Sequence, residues 1–226
     1  MTAEQYFGDW SRVVDIKEAE KALLALRGQS ICPLPKDIFK AFHLCSLNNL
    51  KVLILGQDPY PTTNHLSLPT ATGIAFANSP DTPKHLFSPS LEVLRDSVID
   101  FTVPHGTINF DPSLETWEEQ GVLMLNSALT CMVGKPGSHS LLWRPFISSL
   151  ITNLSLHLTG IVYVLMGSAA QSFESCINQH SNHIIRIRHP AWYARTNTRM
   201  PDIWKDINQI LMGMYGEKVE WYKESQ

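Results

Sequence analysis

The chain has little that could staple it or hold a metal. Its 226 residues include only four cysteines, Cys32, Cys45, Cys131 and Cys176, with no close pairing and no metal-ligand spacing. Buried, reduced thiols in a cytosolic protein are the expectation, with no metal site. No apolar run approaches the roughly 20 residues of a membrane span. The amino-terminal MTAEQYFGDW has two acidic residues and no apolar core, which argues against a secretory leader. Repeats, low-complexity tracts and interdomain linkers are also missing, so one domain over residues 1–226 is expected. There is no G-x-S-x-G elbow and no Gly-rich phosphate fingerprint, which removes support for a generic α/β hydrolase or nucleotide-binding enzyme. The net charge of −3 speaks against a protein basic all over, and 44% apolar content suits a sizeable core.

One further absence is local. No acidic residue occurs from Ser175 to Pro201, while that window holds Arg186, Arg188, Arg195, Arg199, His180, His183, His189, Trp192 and Tyr193. Cations interleaved with aromatic rings suit a nucleic-acid contact, the charges for phosphate and the rings for bases. A solvated basic loop carrying two core aromatics fits the same pattern.

What is present is a set of four short apolar runs, each ending in residues capable of chemistry. KVLIL (Lys51–Leu55) meets Gly56-Gln57-Asp58-Pro59-Tyr60, and GVLML (Gly121–Leu125) meets Asn126. IVYVLM (Ile161–Met166) meets Gly167-Ser168, and HIIRI (His183–Ile187) meets Arg188-His189-Pro190. Such runs, separated by helical stretches, read as buried strands of a mostly parallel four-stranded sheet. Helical spacing marks residues 14–27, LEVLRDSVIDF, SLETWEEQ, Leu142–Leu158 and Asp202–Tyr215, while CPLPKDIFKAF reads as a Pro-rich turn feeding a short helix. The alternation predicts an α/β fold in three layers, α/β/α. In such folds ligands gather beyond the carboxyl ends of the strands.

Several residues there could build a site for a flat heterocycle. Asp58 offers a carboxylate for water or a developing cation, His189 a hydrogen-bond donor, and Asn126 an amide that both donates and accepts. Phe76 offers a ring face and Tyr60 a steric wall. Ser88-Pro89-Ser90 combines a capping serine with proline at a helix start and leaves backbone N–H groups for phosphate. Each residue has a plainer reading as well: a turn aspartate, a surface histidine, a capping serine or a core aromatic.

The motifs GQDPY, GIAF, SPSL, WEEQGVLMLNSALT, LMGSAAQ and the terminal HPA loop, taken in order, resemble family 1 uracil-DNA glycosylases. CPLPKDIFKAF and VEWY extend the resemblance over nearly the whole chain. The resemblance implies an enzyme that flips uracil out of DNA and hydrolyses its N-glycosidic bond, with no cofactor. It implies Asp58 and His189 as catalytic residues. Gln57, Tyr60, Phe76 and Asn126 would bind the base. Ser88, Pro89, Ser90, Gly167, Ser168, Pro190, Tyr193 and Arg195 would contact DNA. Uracil-containing DNA, single- or double-stranded, is the implied partner, along with a DNA-mimicking protein inhibitor, no membrane, and a monomeric protein in the cytoplasm.

Two departures stand out. Pro61 replaces the family's usual His after GQDPY, as in poxvirus members, and the loop after it (TTNHLSLPTAT) is unusual, with His65 a candidate substitute. HPAWYA replaces HPSPLS, so Ala191 and Ala194 replace two serines, and Tyr193 takes the place of the wedging leucine. Arg195 could grip phosphate in place of the two missing hydroxyls. A polymerase accessory factor with weak or secondary activity is the alternative, opposed by the joint presence of Asp58, Asn126 and His189.

Overall fold

The computed structural model describes residues 3–79, 82–99 and 107–225. Helices α1 (Ala3–Phe7) and α2 (Ile16–Ala25) come first, and the Asp15 side chain caps α2 by accepting from the backbone N–H groups of Lys17 and Glu18. A two-residue strand β1 (Ile31–Cys32), a 3-10 turn at Pro35–Asp37 and the short helix α3 (Lys40–Leu44) follow. Strand β2 (Val52–Gly56) leads through a long connection to α4 (Pro89–Val98), which starts with Ser88 at its cap position and proline at its first helical position. Next come β3 (Thr107–Asn109), α5 (Glu115–Glu118), β4 (Val122–Asn126) and β5 (Cys131–Met132). Helix α6 (Ser140–His157), β6 (Val162–Met166), α7 (Ser168–Gln171), β7 (His183–Ile187) and α8 (Pro190–Thr196) follow. Helix α9 (Ile203–Tyr215) and β8 (Lys223–Ser225) complete the described chain.

The four apolar runs form one sheet in the order β4-β2-β6-β7, and all its pairings are parallel. Successive side chains on a strand point to opposite faces, so each run feeds two cores. Leu53, Leu55, Leu123, Leu125, Tyr163 and Leu165 pack on one face with residues of α2, α3 and α6. Val52, Ile54, Val122, Met124, Val162 and Val164 pack on the other with residues of α4, α5, α8 and α9. That is the expected three-layer α/β/α arrangement. Full burial of such an aliphatic side chain stabilises by about 1.5–3 kcal/mol, so this two-sided sheet carries much of the folding energy.

Some local expectations differ from the structure. The basic stretch after β7 is helical (α8), not a loop. SLETWEEQ yields a helix of only four residues. LEVLRDSVIDF is helical to Val98, and its last two residues lie outside the described set, as does Pro80. Two small antiparallel pairs, β1–β5 and β3–β8, went unanticipated. The first sets Cys32 opposite Cys131, so two cysteines far apart in sequence are neighbours, and both are buried and free. Among the described residues no helix is long and apolar enough to cross a membrane, and no cluster of His, Cys, Asp or Glu could hold a metal.

Candidate active site

Parallel strands put all their carboxyl ends on one edge, and the candidate chemistry collects there. Gly56 ends β2 directly opposite Asn126, which ends β4. A methyl group on Gly56 would lie 2.7 Å from Asn126 Oδ1 and 2.8 Å from Phe76 Cζ, so only glycine lets these two side chains meet over the strand end. Phe76 adopts φ +66°, a left-handed backbone rare for a bulky residue and often tied to function. At the far side Gly167 has φ +90°, and a Cβ there would come within 2.9 Å of His189 Cβ.

One cavity is lined by Asp58, Tyr60, Phe76, Ser90, Asn126 and His189, with Pro59, Ala71, Gly73, Ile74 and Leu129 completing its wall. Asp58 Oδ2 accepts a hydrogen bond from Gly137 N. Burial raises the Asp58 pKa above the usual carboxylate value, and the Gly137 N–H works against that rise. His189 caps α8: its Nδ1 accepts from Ala191 N at 3.2 Å. The proton of the neutral ring therefore sits on Nε2. Burial, with the Arg195 charge adding, pushes the His189 pKa down to about 4, so the ring is a neutral donor at neutral pH. Its plane is tilted 52° to that of Phe76, with centroids 5.5 Å apart.

Tyr60 is fixed at both ends of its hydroxyl. It donates to Phe76 O at 2.8 Å and accepts from Ser88 Oγ. Burial raises its pKa, so the phenol stays protonated. The Asn126 side chain, only 9% exposed, makes no hydrogen bond with any described residue. Its amide lines the cavity and is open to it, so both its donor and its acceptor are available to a ligand.

The other expected residues are distributed as follows. Gln57 is exposed and does not line the cavity; its backbone O accepts from Ser127 Oγ and Ala128 N instead. The Ser88 hydroxyl is occupied by Tyr60 and by Asn78 Oδ1 at 3.0 Å. Pro89, Ser168 and Arg195 are exposed, Gly167 is half-buried and Pro190 is buried. Tyr193, expected as a wedge into DNA, is 7% exposed and sits in the core on the α4 side of the sheet. Its neighbour Trp192 is half-buried, and the Arg188 guanidinium lies 4.2 Å from the Trp192 ring centroid. That stacked pair was missed: Arg188 lies before α8 and its cap, so helical spacing gives no signal for it. His65 is exposed and is not part of the cavity wall. Within the basic window Arg186 is paired with Glu174 at 2.6 Å, which withdraws it from the free cations.

Residues 42–211 match the model of the Uracil DNA glycosylase superfamily. The chain belongs to the uracil DNA glycosylase superfamily. The uracil-DNA glycosylase of Vibrio campbellii is 34% identical over 97% of this chain and 91% of the relative. That of Buchnera aphidicola subsp. Acyrthosiphon pisum is 40% identical over 71% of this chain and 70% of the relative. Among solved structures, mimivirus uracil-DNA glycosylase shares the fold, with a TM-score of 0.75 at 22% identity over 98% of this chain and 93% of that one. A mimivirus Y322F variant in complex with UGI gives a TM-score of 0.78 at 24% identity, covering 93% of this chain and 83% of that one.

Proposed function

We propose that this glycosylase-family chain removes uracil from DNA by hydrolysing the N-glycosidic bond of a flipped-out nucleotide, leaving an abasic site. The observation that carries this reading is the Asn126 amide, without a protein partner and open to a cavity that also holds the Asp58 carboxylate and a neutral His189 donor.

The chemistry follows from where charge develops. As the glycosidic bond breaks, positive charge builds on the sugar and negative charge on the departing base. Asp58 faces the cation and positions the attacking water. His189 Nε2–H donates to the base oxygen where the anion gathers. A neutral donor suits this task, because it needs no counter-charge before the bond breaks. Fixed donors of this kind are typically worth about 2.7–4 kcal/mol. No metal or organic cofactor enters the proposed reaction.

Recognition uses the same walls. Asn126 pairs with the polar edge of uracil and rejects cytosine, whose donor and acceptor are exchanged. Phe76 stacks on the ring. Tyr60, held by Ser88 and Phe76 O, fills the space a thymine methyl would need. Gln57 acts from the cavity's edge. The N-terminus of α4 (Ser88, Pro89, Ser90), the Gly167-Ser168 turn, Pro190 and Arg195 face the DNA backbone. Single- and double-stranded DNA are both substrates in this reading, and Tyr193 enters a duplex only after leaving its buried seat. A DNA-mimicking protein inhibitor occupies the same face. A monomer suffices, since one chain supplies the whole cavity wall, and free thiols fit the cytoplasm.

The test is incubation with a single-stranded oligonucleotide carrying one uracil, followed by alkali. Strand breakage at the uracil position is expected, with breakage by Asp58→Asn strongly suppressed at equal times. Binding without breakage by the unaltered protein would overturn the reading.

A further inference from the structure

One buried polar chain lies outside the residues given roles above. His139 is 6% exposed and directly precedes α6. Its ring has two partners, Thr130 and Gln29, and Thr130 is bonded in turn by Trp143. Trp143 Nε1 donates to Thr130 Oγ1 at 2.7 Å. Gln29 Nε2 donates to Ala25 O at 2.7 Å, which turns Gln29 Oε1 toward His139 Nε2 at 3.0 Å. An acceptor there requires the proton on Nε2. Nδ1 therefore accepts from the Thr130 hydroxyl at 2.8 Å. The sequence of donors runs one way, from the Trp143 indole through hydroxyl, imidazole and amide to a backbone carbonyl. Every member is satisfied, the condition under which buried polar networks rigidify their surroundings.

The chain of bonds anchors the end of a loop that reaches Asp58. Gly137, two residues before His139, is the only hydrogen-bond donor to the Asp58 carboxylate among the described residues. The loop is tied down along its length. Gly134 N donates to Pro61 O at 2.8 Å, and Met132 N donates to Ser138 Oγ at 2.8 Å. Ser140 Oγ donates to Gly137 O at 2.9 Å. Gly137 itself has φ +74°, a conformation that favours glycine.

We propose that His139 is a positioning residue: through the 132–139 loop it fixes the Gly137 N–H that orients the Asp58 carboxylate toward the sugar. This rests on the role given to Asp58 above. Loss of the anchor lets the loop slacken and the Gly137 donor withdraw. Burial then acts on Asp58 unopposed and favours its protonated form. The consequence is specific: the rate falls, and the acid side of the pH–rate profile moves to higher pH.

The experiment compares unaltered protein, His139→Ala, His139→Asn and Gln29→Ala in single-turnover uracil release across pH. KM for uracil-containing DNA and inhibition by free uracil are measured alongside. His139→Ala is expected to lower the rate constant about ten-fold, the scale of a small misplacement of a reacting group. Its acid limb moves to higher pH, while KM and uracil inhibition hold. His139→Asn keeps a partner for the Thr130 hydroxyl and recovers most of the rate. A lowered rate with an unmoved acid limb overturns the proposal, as does parallel loss of uracil inhibition. If His139→Ala does not fold, Gln29→Ala decides, because it cuts only the exposed end of the chain of bonds; a small shift in the same direction supports the proposal and an unmoved limb overturns it. Unaltered protein that fails to release uracil would defeat the glycosylase reading itself, a result distinct from an active protein with an unmoved limb.

Discussion

The floor of the cavity and its rim are built on opposite terms. Floor groups are held from behind: Asp58 by Gly137 N, His189 by Ala191 N, and Tyr60 by Phe76 O and Ser88. Ser168 and Arg195, the rim groups proposed above to meet DNA, are exposed, and neither is held by a salt bridge or side-chain hydrogen bond among the described residues. Preorganised groups lower barriers because their orientation costs nothing at the moment of reaction. Unheld charges act on arrival, through long-range attraction to phosphate. The floor should therefore govern the chemical step and the rim the capture of DNA.

Substitutions can break that division. The largest effect is expected for Asp58→Asn, a loss of about a thousand-fold in single-turnover rate, within the range for positioned acid–base groups, with DNA binding by gel shift unchanged. Next is His189→Ala, a loss of about a hundred-fold from removing one aimed donor, again without a change in binding. Comparable losses of rate and affinity in either variant would merge floor with rim.

The pH dependence sharpens the same point. The His189 pKa is lowered to about 4, so its neutral donor form persists well below the ordinary 6.5 and is lost only as pH falls through the lowered value. Asp58, raised by burial, loses its carboxylate form on the same acid side. The His189 ring should stay neutral through the pH of ordinary histidine titration, as read by NMR of its ring signals, and the rate should fall on the acid side. Ring signals that titrate near 6.5 would show that His189 behaves as a surface histidine.

Gly56→Ala is a smaller probe of the floor. The added methyl crowds Asn126 and Phe76, and overpacking costs about 1–3 kcal/mol. A lower melting temperature and weaker inhibition by free uracil are expected. The smallest effect belongs to the rim: Trp192→Ala should weaken single-stranded DNA binding about five-fold, the low end for a base-stacking ring, and leave the single-turnover rate constant unchanged. A rate effect there would move Trp192 to the floor.

Much of this division is legible in the residues alone. The four strands are readable because each is an apolar run that ends at, or just before, a glycine or polar residue: Gly56, Asn126, Gly167 and Arg188. Asp58, Tyr60, Phe76, Asn126 and His189 are readable as ligands of one flat group, and they do share one cavity. What escapes is mostly backbone and packing. Gly137 contributes an N–H, which residue type does not advertise. Helix α8 is seven residues long, too short for helical periodicity to register, and its cap is His189, a residue type not favoured for capping. The burial of Tyr193 follows from that helix lying against α4, so a sequence match to a wedge position could not reveal it.

The hydrogen atom that stands for a side chain at Gly167 joins two tasks. A Cβ added there would lie only 2.9 Å from His189 Cβ, so the bare backbone of the turn lies close against the histidine's own backbone. A DNA strand leaning on residues 167 and 168 would lean on His189, the residue proposed to help release the base, as well. A loose nucleobase, having no backbone to lean with, would enter the same chamber without that push.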